Sequence, residues 1–178
     1  MGAGRWRERA FRGPDGELAY AEAGAGPPVV FLSGGPGLGE RVMRPLAAPL
    51  ADTYRCVLPD ARGCGRSPLA VLDAAGLHVD RLIADLEALR GYLGADRLTL
   101  VGWSWGAMLA LLYGAAHPGR VARLGGLGTG PLLHALIPVY AANLLRPLTA
   151  GERARHTDLR ARLNAALAGG RGGVPRGA

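Results

Sequence analysis

The sequence contains no lysine: all 21 of its basic residues are arginines, set against 14 acidic residues and a formal net charge of +7. A basic balance of this size can indicate a nucleic-acid-binding protein. The arginines, however, are spread from Arg5 to Arg176 without a dense cluster, interleaved aromatic residues or a nucleic-acid-binding motif. We interpret them as a solvated surface. Nucleic-acid binding is therefore the least favoured of the three functional hypotheses that the sequence supports.

Cysteines and long apolar runs are also scarce. The two cysteines, Cys56 and Cys64, match neither a zinc-binding nor a C-x-x-C pattern. No uninterrupted apolar run approaches the ~20 residues that span a bilayer, and the charged N-terminus lacks the apolar segment of a secretory signal. No phosphate-binding loop is present either. These absences predict a cytoplasmic protein with no membrane partner and no metal or organic cofactor.

What is present is enough apolar sequence for a core, 49% of 178 residues, together with 29 glycines for tight turns. Short apolar runs alternate with segments of helical periodicity between Val29 and Leu127. That alternation predicts an α/β fold, a doubly wound parallel sheet with helices on both faces. Residues 5–23 precede it as a β-hairpin, whose second run, residues 18–21, alternates as an edge strand would.

The remaining elements follow from the same patterns. We expect strands at residues 29–32, 55–58, 98–101 and 121–127, and helices at 41–52, 79–93, 107–117 and 132–145, the last of them broken by Pro138. Thr149 and Glu152 form a capping box that opens one more helix. Charged side chains on the helix at 79–93 are expected to be solvated; they are Asp80, Arg81, Asp85, Glu87 and Arg90.

The most informative stretch is Gly102-Trp103-Ser104-Trp105-Gly106, between a predicted strand and a predicted helix. A strand that turns into a helix within about two residues strains the backbone of the serine and exposes its Oγ at the helix N-terminus. Gly102 and Gly106 are needed because side chains there would strike the neighbouring strand and helix. The pattern predicts a nucleophile elbow; the alternative is a glycine-rich turn whose serine has no catalytic role.

A second glycine-rich loop, residues 33–37, follows the predicted strand at 29–32. An acyl-transfer enzyme needs two N–H donors directed at its oxyanion. We expect one from Trp105, the residue after the serine, and the other from Gly35 in this loop. A third loop, residues 60–67, contains Asp60 and Arg62, which we interpret as tying the loop down by hydrogen bonds and an ion pair rather than as substrate ligands.

Together the three loops resemble those of the α/β-hydrolase family, and within it the proline iminopeptidase-like branch. Gly34-Gly35-Pro36-Gly37 resembles that branch's His-Gly-Gly-Pro-Gly oxyanion loop, with Ser33 in place of the histidine, and residues 60–67 match its next loop. Ser104-Trp105-Gly106 and the helix to His117-Pro118 resemble its elbow. The resemblance, from Asp15 to Gly130, implies a serine hydrolase whose nucleophile is Ser104 and whose helical cap begins after Gly130.

The family's triad acid and histidine follow the serine on later strands, and this sequence has no matching segment. The acids after Ser104 are Glu152 and Asp158, and the histidines are His117, His134 and His156. Glu152 and His156 share a helix face and are minor candidates for the missing pair. We therefore expect the N-terminal portion of a hydrolase, shortened by truncation, frameshift or gene division, whose uncovered sheet edge is a candidate for self-association.

The expected organisation is a hydrolase core over residues 1–130, a partial helical cap over 131–168 and a disordered tail over 169–178. The leading hypothesis is an aminopeptidase-like serine hydrolase that acts by acyl transfer on a small peptide, amide or ester. The second is a catalytically silent fragment or binding module that needs a complementing chain.

Overall fold

Six strands form one sheet, in a computed structural model that describes residues 6–71, 73–131 and 134–169. The strands are β1 (Arg7–Arg12), β2 (Glu17–Ala23), β3 (Pro28–Leu32), β4 (Arg55–Pro59), β5 (Leu98–Trp103) and β6 (Val121–Leu127). Their order is β1-β2-β4-β3-β5-β6, with β4, β3, β5 and β6 parallel and the β1–β2 hairpin antiparallel. The predicted parallel sheet is confirmed.

Helices cover both faces of this sheet. On one face, α2 (Val79–Tyr92) and α3 (Trp105–Ala116) pack leucines against Val30, Leu32 and Val57. On the other, the short α1 (Arg44–Ala47) and its flanking 3₁₀ turns pack against Val29, Phe31 and Leu58. Alternate residues of β3 and β4 thus enter different cores, which explains why both strands read as continuous apolar runs. The fold is the predicted doubly wound arrangement.

The expectation for the hairpin needs one correction. Its second strand, β2, is not an edge strand, because it pairs with β4 as well as with β1. Six of its seven residues are therefore buried, and β1 forms that edge of the sheet. The hairpin itself is present, and its turn is closed by the N–H of Gly13, which donates to the carbonyl oxygen of Gly16 at 2.8 Å.

The first compact unit of the chain ends at Gly130, and a second begins at Pro131. The second contains α4 (Ile137–Leu145) and α5 (Ala150–Gly169). Pro138 does not break α4 but lies in its first turn, where a missing N–H costs no helical hydrogen bond. At α5 the N–H of Thr149 donates to Glu152 Oε2 at 2.8 Å, and the N–H of Glu152 donates to Thr149 Oγ1 at 3.3 Å, as in a capping box.

The assignment of the second unit as a partial cap stays a prediction. Leu132 and Leu133, at the start of the predicted helix, lie outside the described residues, as does the predicted disordered tail apart from Gly169, the last residue of α5. Each helix within the described ranges is too short or too polar to cross a membrane.

Candidate active site

Ser104 is the single residue between β5 and α3, and its backbone is in an unusual conformation. Its φ is 52° and its ψ is −115°, and among the described residues no other non-glycine residue has a positive φ. Such a conformation costs on the order of 1–3 kcal/mol and persists only where the surroundings impose it. Here the N–H of Ser104 donates to the carbonyl oxygen of Leu127 in β6 at 2.8 Å. The turn is therefore held by the neighbouring strand.

The two glycines that flank Ser104 allow backbone segments to approach closely. A Cβ on Gly102 would lie 2.4 Å from the backbone nitrogen of Ala107, and a Cβ on Gly106 would lie 2.2 Å from the carbonyl oxygen of Leu32. Gly102 therefore lets the start of α3 pack on β5, and Gly106 lets α3 pack on the end of β3. These are the strand and helix contacts expected for the two positions.

The loop after β3 lies beside this turn. β3 and β5 are adjacent and parallel, with Leu32 opposite Gly102, so both chains leave the sheet at the same edge. A Cβ on Gly34 would lie 2.9 Å from Cε3 of Trp103, which places the indole ring against the loop. The sheet thus brings the loop of Gly35 and the turn of Ser104 together.

Ser33 and glycine geometry shape that loop. Ser33 Oγ donates to the carbonyl oxygen of Leu38 at 2.9 Å, a hydrogen bond that closes the loop on itself. Gly35 has a φ of 119°, and a Cβ there would meet the backbone nitrogen of Gly37 at 2.9 Å. Residues 35–38 are exposed, so this loop is accessible to a ligand.

A buried carboxylate anchors the end of the loop. Asp60, 3% exposed, accepts hydrogen bonds from the N–H of Glu40 at 2.8 Å and from the N–H of Arg66 at 3.1 Å. Ser67 Oγ, also buried, donates to the carbonyl oxygen of Asp60 and accepts from the N–H of Ala19. Asp60 therefore joins two loops, which agrees with the structural role expected for it.

Arg62 makes an ion pair, as expected, but its partners Asp85 and Asp15 lie outside its own loop and were not predicted. Its Nε and Nη2 donate to Asp85 at 2.7 and 2.5 Å, and its Nη1 donates to Asp15 at 2.8 Å. Asp85 was expected to be solvated, which is wrong: it is 7% exposed because it faces the guanidinium of Arg62. Its spacing was an available signal, since Asp85 lies between Leu82 and Leu86 on the apolar face of α2.

The start of α3 is suited to stabilising negative charge. Trp105 is the first residue of the helix, so its N–H has no acceptor within the helix. The side chain of Ser104 does not cap the helix, which leaves its hydroxyl for other contacts. The partial positive charge of a helix N-terminus favours an anion at this position.

An apolar cavity of about 480 Å³ borders the loop that contains Gly35 and the first turn of α3. Leucines of α2 and α3, the hairpin and the end of β3 form one side of its wall, and the loops at residues 33–38 and 59–64 line it together with Trp105. Burial raises the pKa of the Cys64 thiol, and the N–H of Gly37 partly offsets that effect. The cavity lies within the first unit, and only its proximity to the glycine-rich loops could have been inferred from the sequence.

The candidate triad residues are not gathered at Ser104 in the described part of the first unit. His117 is the C-cap of α3, 13 residues and ~20 Å along the helix from Ser104, and its ring centroid lies 5.1 Å from that of Tyr113. His78 is exposed at the N-terminus of α2, where its Nδ1 accepts from the N–H of Asp80 at 3.4 Å. Glu152 and His156 both lie on α5 of the second unit.

The fold and this strand–turn–helix geometry point to one protein family. A family model described as alpha/beta hydrolase fold matches residues 27–169, and the chain belongs to that family. Its relatives include the proline iminopeptidase of Neisseria gonorrhoeae, 42% identical over 108 residues, which are 59% of this chain and 34% of that one. A cis-3-alkyl-4-alkyloxetan-2-one decarboxylase of Shewanella oneidensis is 37% identical over 64% of this chain and 36% of its own.

Solved structures show the same relationship. An α/β hydrolase from Novosphingobium aromaticivorans matches with a TM-score of 0.62 and 31% identity, over 70% of this chain and 45% of that one. An epoxide hydrolase from Vigna radiata matches with a TM-score of 0.66 and 29% identity, over 79% and 44%. The chain thus spans about a third of the length of these curated relatives and less than half of these solved chains.

Proposed function

We propose that this chain carries the nucleophile and oxyanion-binding segments of a serine hydrolase that acts by acyl transfer on a peptide amide or an ester. Ser104 is the proposed nucleophile. The proposed oxyanion donors are the backbone N–H groups of Gly35 and Trp105. Because its relatives include proline iminopeptidases, an amide at the N-terminus of a small peptide is one proposed substrate.

The observation that carries this proposal is the positive φ of Ser104. This residue lies between Gly102 and Gly106, two positions where backbone packing leaves no room for a side chain. Strain at a single, half-buried serine at a helix N-terminus is costly for stability and has no evident structural benefit. It does place a hydroxyl beside backbone N–H groups, as a nucleophilic serine requires.

The proposed reaction proceeds in two steps. Ser104 Oγ attacks the substrate carbonyl, the oxyanion is held by the N–H groups of Gly35 and Trp105, and the leaving amine or alcohol departs with a proton. Water then attacks the acyl-serine, and the acid product leaves. A base must remove the proton of Ser104 in the first step, and His134 and His156 are the positions to substitute when that base is sought.

Hydrolysis of p-nitrophenyl acetate and of proline p-nitroanilide tests the proposal. Ser104→Ala should lower either activity on the order of a thousandfold, whereas Thr53→Ala, which removes an exposed hydroxyl far along the sequence, should leave it unchanged. Activity that survives in the Ser104→Ala protein would refute the role of Ser104. The ratio of the two rates distinguishes an amidase from an esterase.

A second candidate function is a binding module that needs a complementing chain, and β6 is the observation that favours it. Within the described residues β6 pairs with β5 alone, and Ala122–Leu127 are exposed on both faces of the strand. An uncovered strand of low charge can pair with another chain. If β6 pairs with a second copy, sedimentation velocity should show a dimer whose fraction rises with protein concentration. Leu124→Lys should abolish this dimer. A monomer at every concentration would refute self-association.

A further inference from the structure

We propose that the 480 Å³ cavity binds a neutral, apolar chain, and that in catalysis it holds the apolar group of the substrate whose carbonyl lies at Ser104. The inference rests on the proposed function for its second part. Its first part, the binding of an apolar ligand, depends only on the cavity.

The size of the cavity is the first reason. Protein cores have few voids larger than a water molecule, and ligand pockets are typically ~300–1,000 Å³. A space of about 480 Å³ therefore falls in the range of a binding pocket and exceeds an ordinary packing defect. Cavities lined by leucine and aromatic side chains stay free of ordered water and accept apolar molecules.

The composition of the wall is the second reason. Leu82, Leu86 and Leu89 come from one face of α2, Leu109 comes from α3, and Leu18 and Phe11 come from the hairpin. All of these side chains are at most 8% exposed, so they are fixed in the surrounding core. Such a wall gains free energy with each methylene group that it removes from water.

The charges on the wall argue against an ionic ligand. The charged residues that line the cavity are Asp60, Arg62 and Asp85. Arg62 and Asp85 neutralise each other through two hydrogen bonds, and Asp60 is paired with Arg66. A charged ligand would lose its hydration without gaining a partner of opposite charge. The cavity should therefore discriminate between an alcohol and a carboxylate of the same length.

The position of the cavity links it to the proposed chemistry. Its wall includes the side chain of Trp105, whose N–H is a proposed oxyanion donor, and Gly34, the neighbour of the other donor residue. A carbonyl held by these N–H groups would thus have a substituent at the mouth of the cavity. The inferred substrate class is neutral amides or esters with an apolar acyl group. An N-terminal prolyl amide, whose amine is protonated at neutral pH, should be the poorer substrate.

Calorimetric titration with 1-hexanol, 1-octanol and 1-decanol tests the binding of an apolar chain. We expect the affinity to rise about fourfold for each added methylene and to be at least about tenfold weaker for octanoate than for 1-octanol. Leu109→Phe adds bulk to the cavity wall and should weaken the binding of 1-decanol by about fivefold or more, whereas Leu111→Phe, the same change at an exposed position on α3, should not weaken it. Leu82→Phe serves the same purpose if the Leu109 variant does not fold.

Absence of binding to the wild-type protein, or equal binding to the Leu109→Phe and Leu111→Phe proteins, would overturn the inference. The link to catalysis is tested by the rate at which Ser104 is labelled by ethyl and decyl fluorophosphonates. A faster reaction with the decyl reagent, and a smaller difference between the two reagents in the Leu109→Phe protein, supports the link; equal rates in the wild-type protein overturn it. Alkanol binding without any labelling of Ser104 would refute the proposed function while confirming the apolar site.

Discussion

A Cβ at Gly106 would lie 2.2 Å from the carbonyl oxygen of Leu32, so the first turn of α3 is in direct backbone contact with the end of β3. This contact joins the turn that contains Ser104 to the loop that contains Gly35. Neither segment can move away from the other without separating α3 from the sheet. The relative position of the proposed nucleophile and oxyanion donors is therefore fixed by backbone packing.

The first prediction concerns this contact. Gly106→Ala forces α3 away from β3 and should lower the free energy of unfolding by about 1–3 kcal/mol, as overpacking does. Gly91→Ala is the matched control, because Gly91 lies in α2 and a Cβ there meets no atom within 4 Å. That control should be stabilising by about 0.5–1 kcal/mol. Urea denaturation measures both; equal effects of the two substitutions would show that the close contact is absent.

The second prediction concerns Asp60. Asp60→Asn replaces one carboxylate oxygen by a donor, so one of the N–H groups of Glu40 and Arg66 loses its acceptor. We expect a loss of about 1–3 kcal/mol of stability and faster amide exchange at Glu40, whose buried N–H donates to Asp60. Asp73→Asn, which changes an exposed acceptor, should stay within about 0.5 kcal/mol. Unchanged exchange in the Asp60 variant would contradict its role in holding the loop.

The third prediction concerns the ion pair of Arg62 and Asp85. Replacing Asp85 by leucine leaves a buried guanidinium without one of its two carboxylate partners and should cost about 3 kcal/mol. The double variant Arg62→Met, Asp85→Leu should be more stable than the sum of the single changes predicts, by about 0.5–3 kcal/mol. Strictly additive free energies from urea denaturation would rule out the coupling.

The fourth prediction concerns acid stability. Arg90 and, to a smaller extent, Tyr113 donate hydrogen bonds to Glu87 and lower its pKa from 4.5 to about 2. A carboxyl group whose pKa is lowered by folding contributes stability above its unfolded pKa and loses it as pH falls. That contribution should therefore decline between about pH 4.5 and about pH 2.

Glu87→Gln should remove this part of the pH dependence, measured as the free energy of unfolding from neutral to acidic pH. Arg90→Met should remove more of it than Tyr113→Phe, because the guanidinium has the larger effect on the pKa of Glu87. A Glu87→Gln protein with the same acid sensitivity as the wild type would contradict the assignment.

The fold was predictable from the sequence where the signals are local. The alternation of strands and helices requires only short windows, and the glycine positions around Ser104 follow from a steric rule that applies within five residues. The capping box of Thr149 and Glu152 is equally local. Their geometry agrees with the prediction, although the catalytic role of Ser104 stays a proposal.

Other features depend on distant partners and could not be predicted. The interior place of β2 follows from its pairing with β4, more than thirty residues later in the chain. The burial of Asp85 depends on Arg62, which reaches it from a separate loop. Ser33 Oγ bonds to Leu38, a contact that depends on the path of the intervening glycines. In each case the partner is set by the fold.

The most direct test of the central claim is the reaction of the folded wild-type protein with a labelled fluorophosphonate, followed by mass mapping of the modified peptide. The account predicts a single adduct on Ser104 that is absent from the Ser104→Ala protein and unaffected by Thr53→Ala. A protein that is folded by circular dichroism but carries no adduct, or carries it on another residue, would contradict the claim that Ser104 is an activated nucleophile.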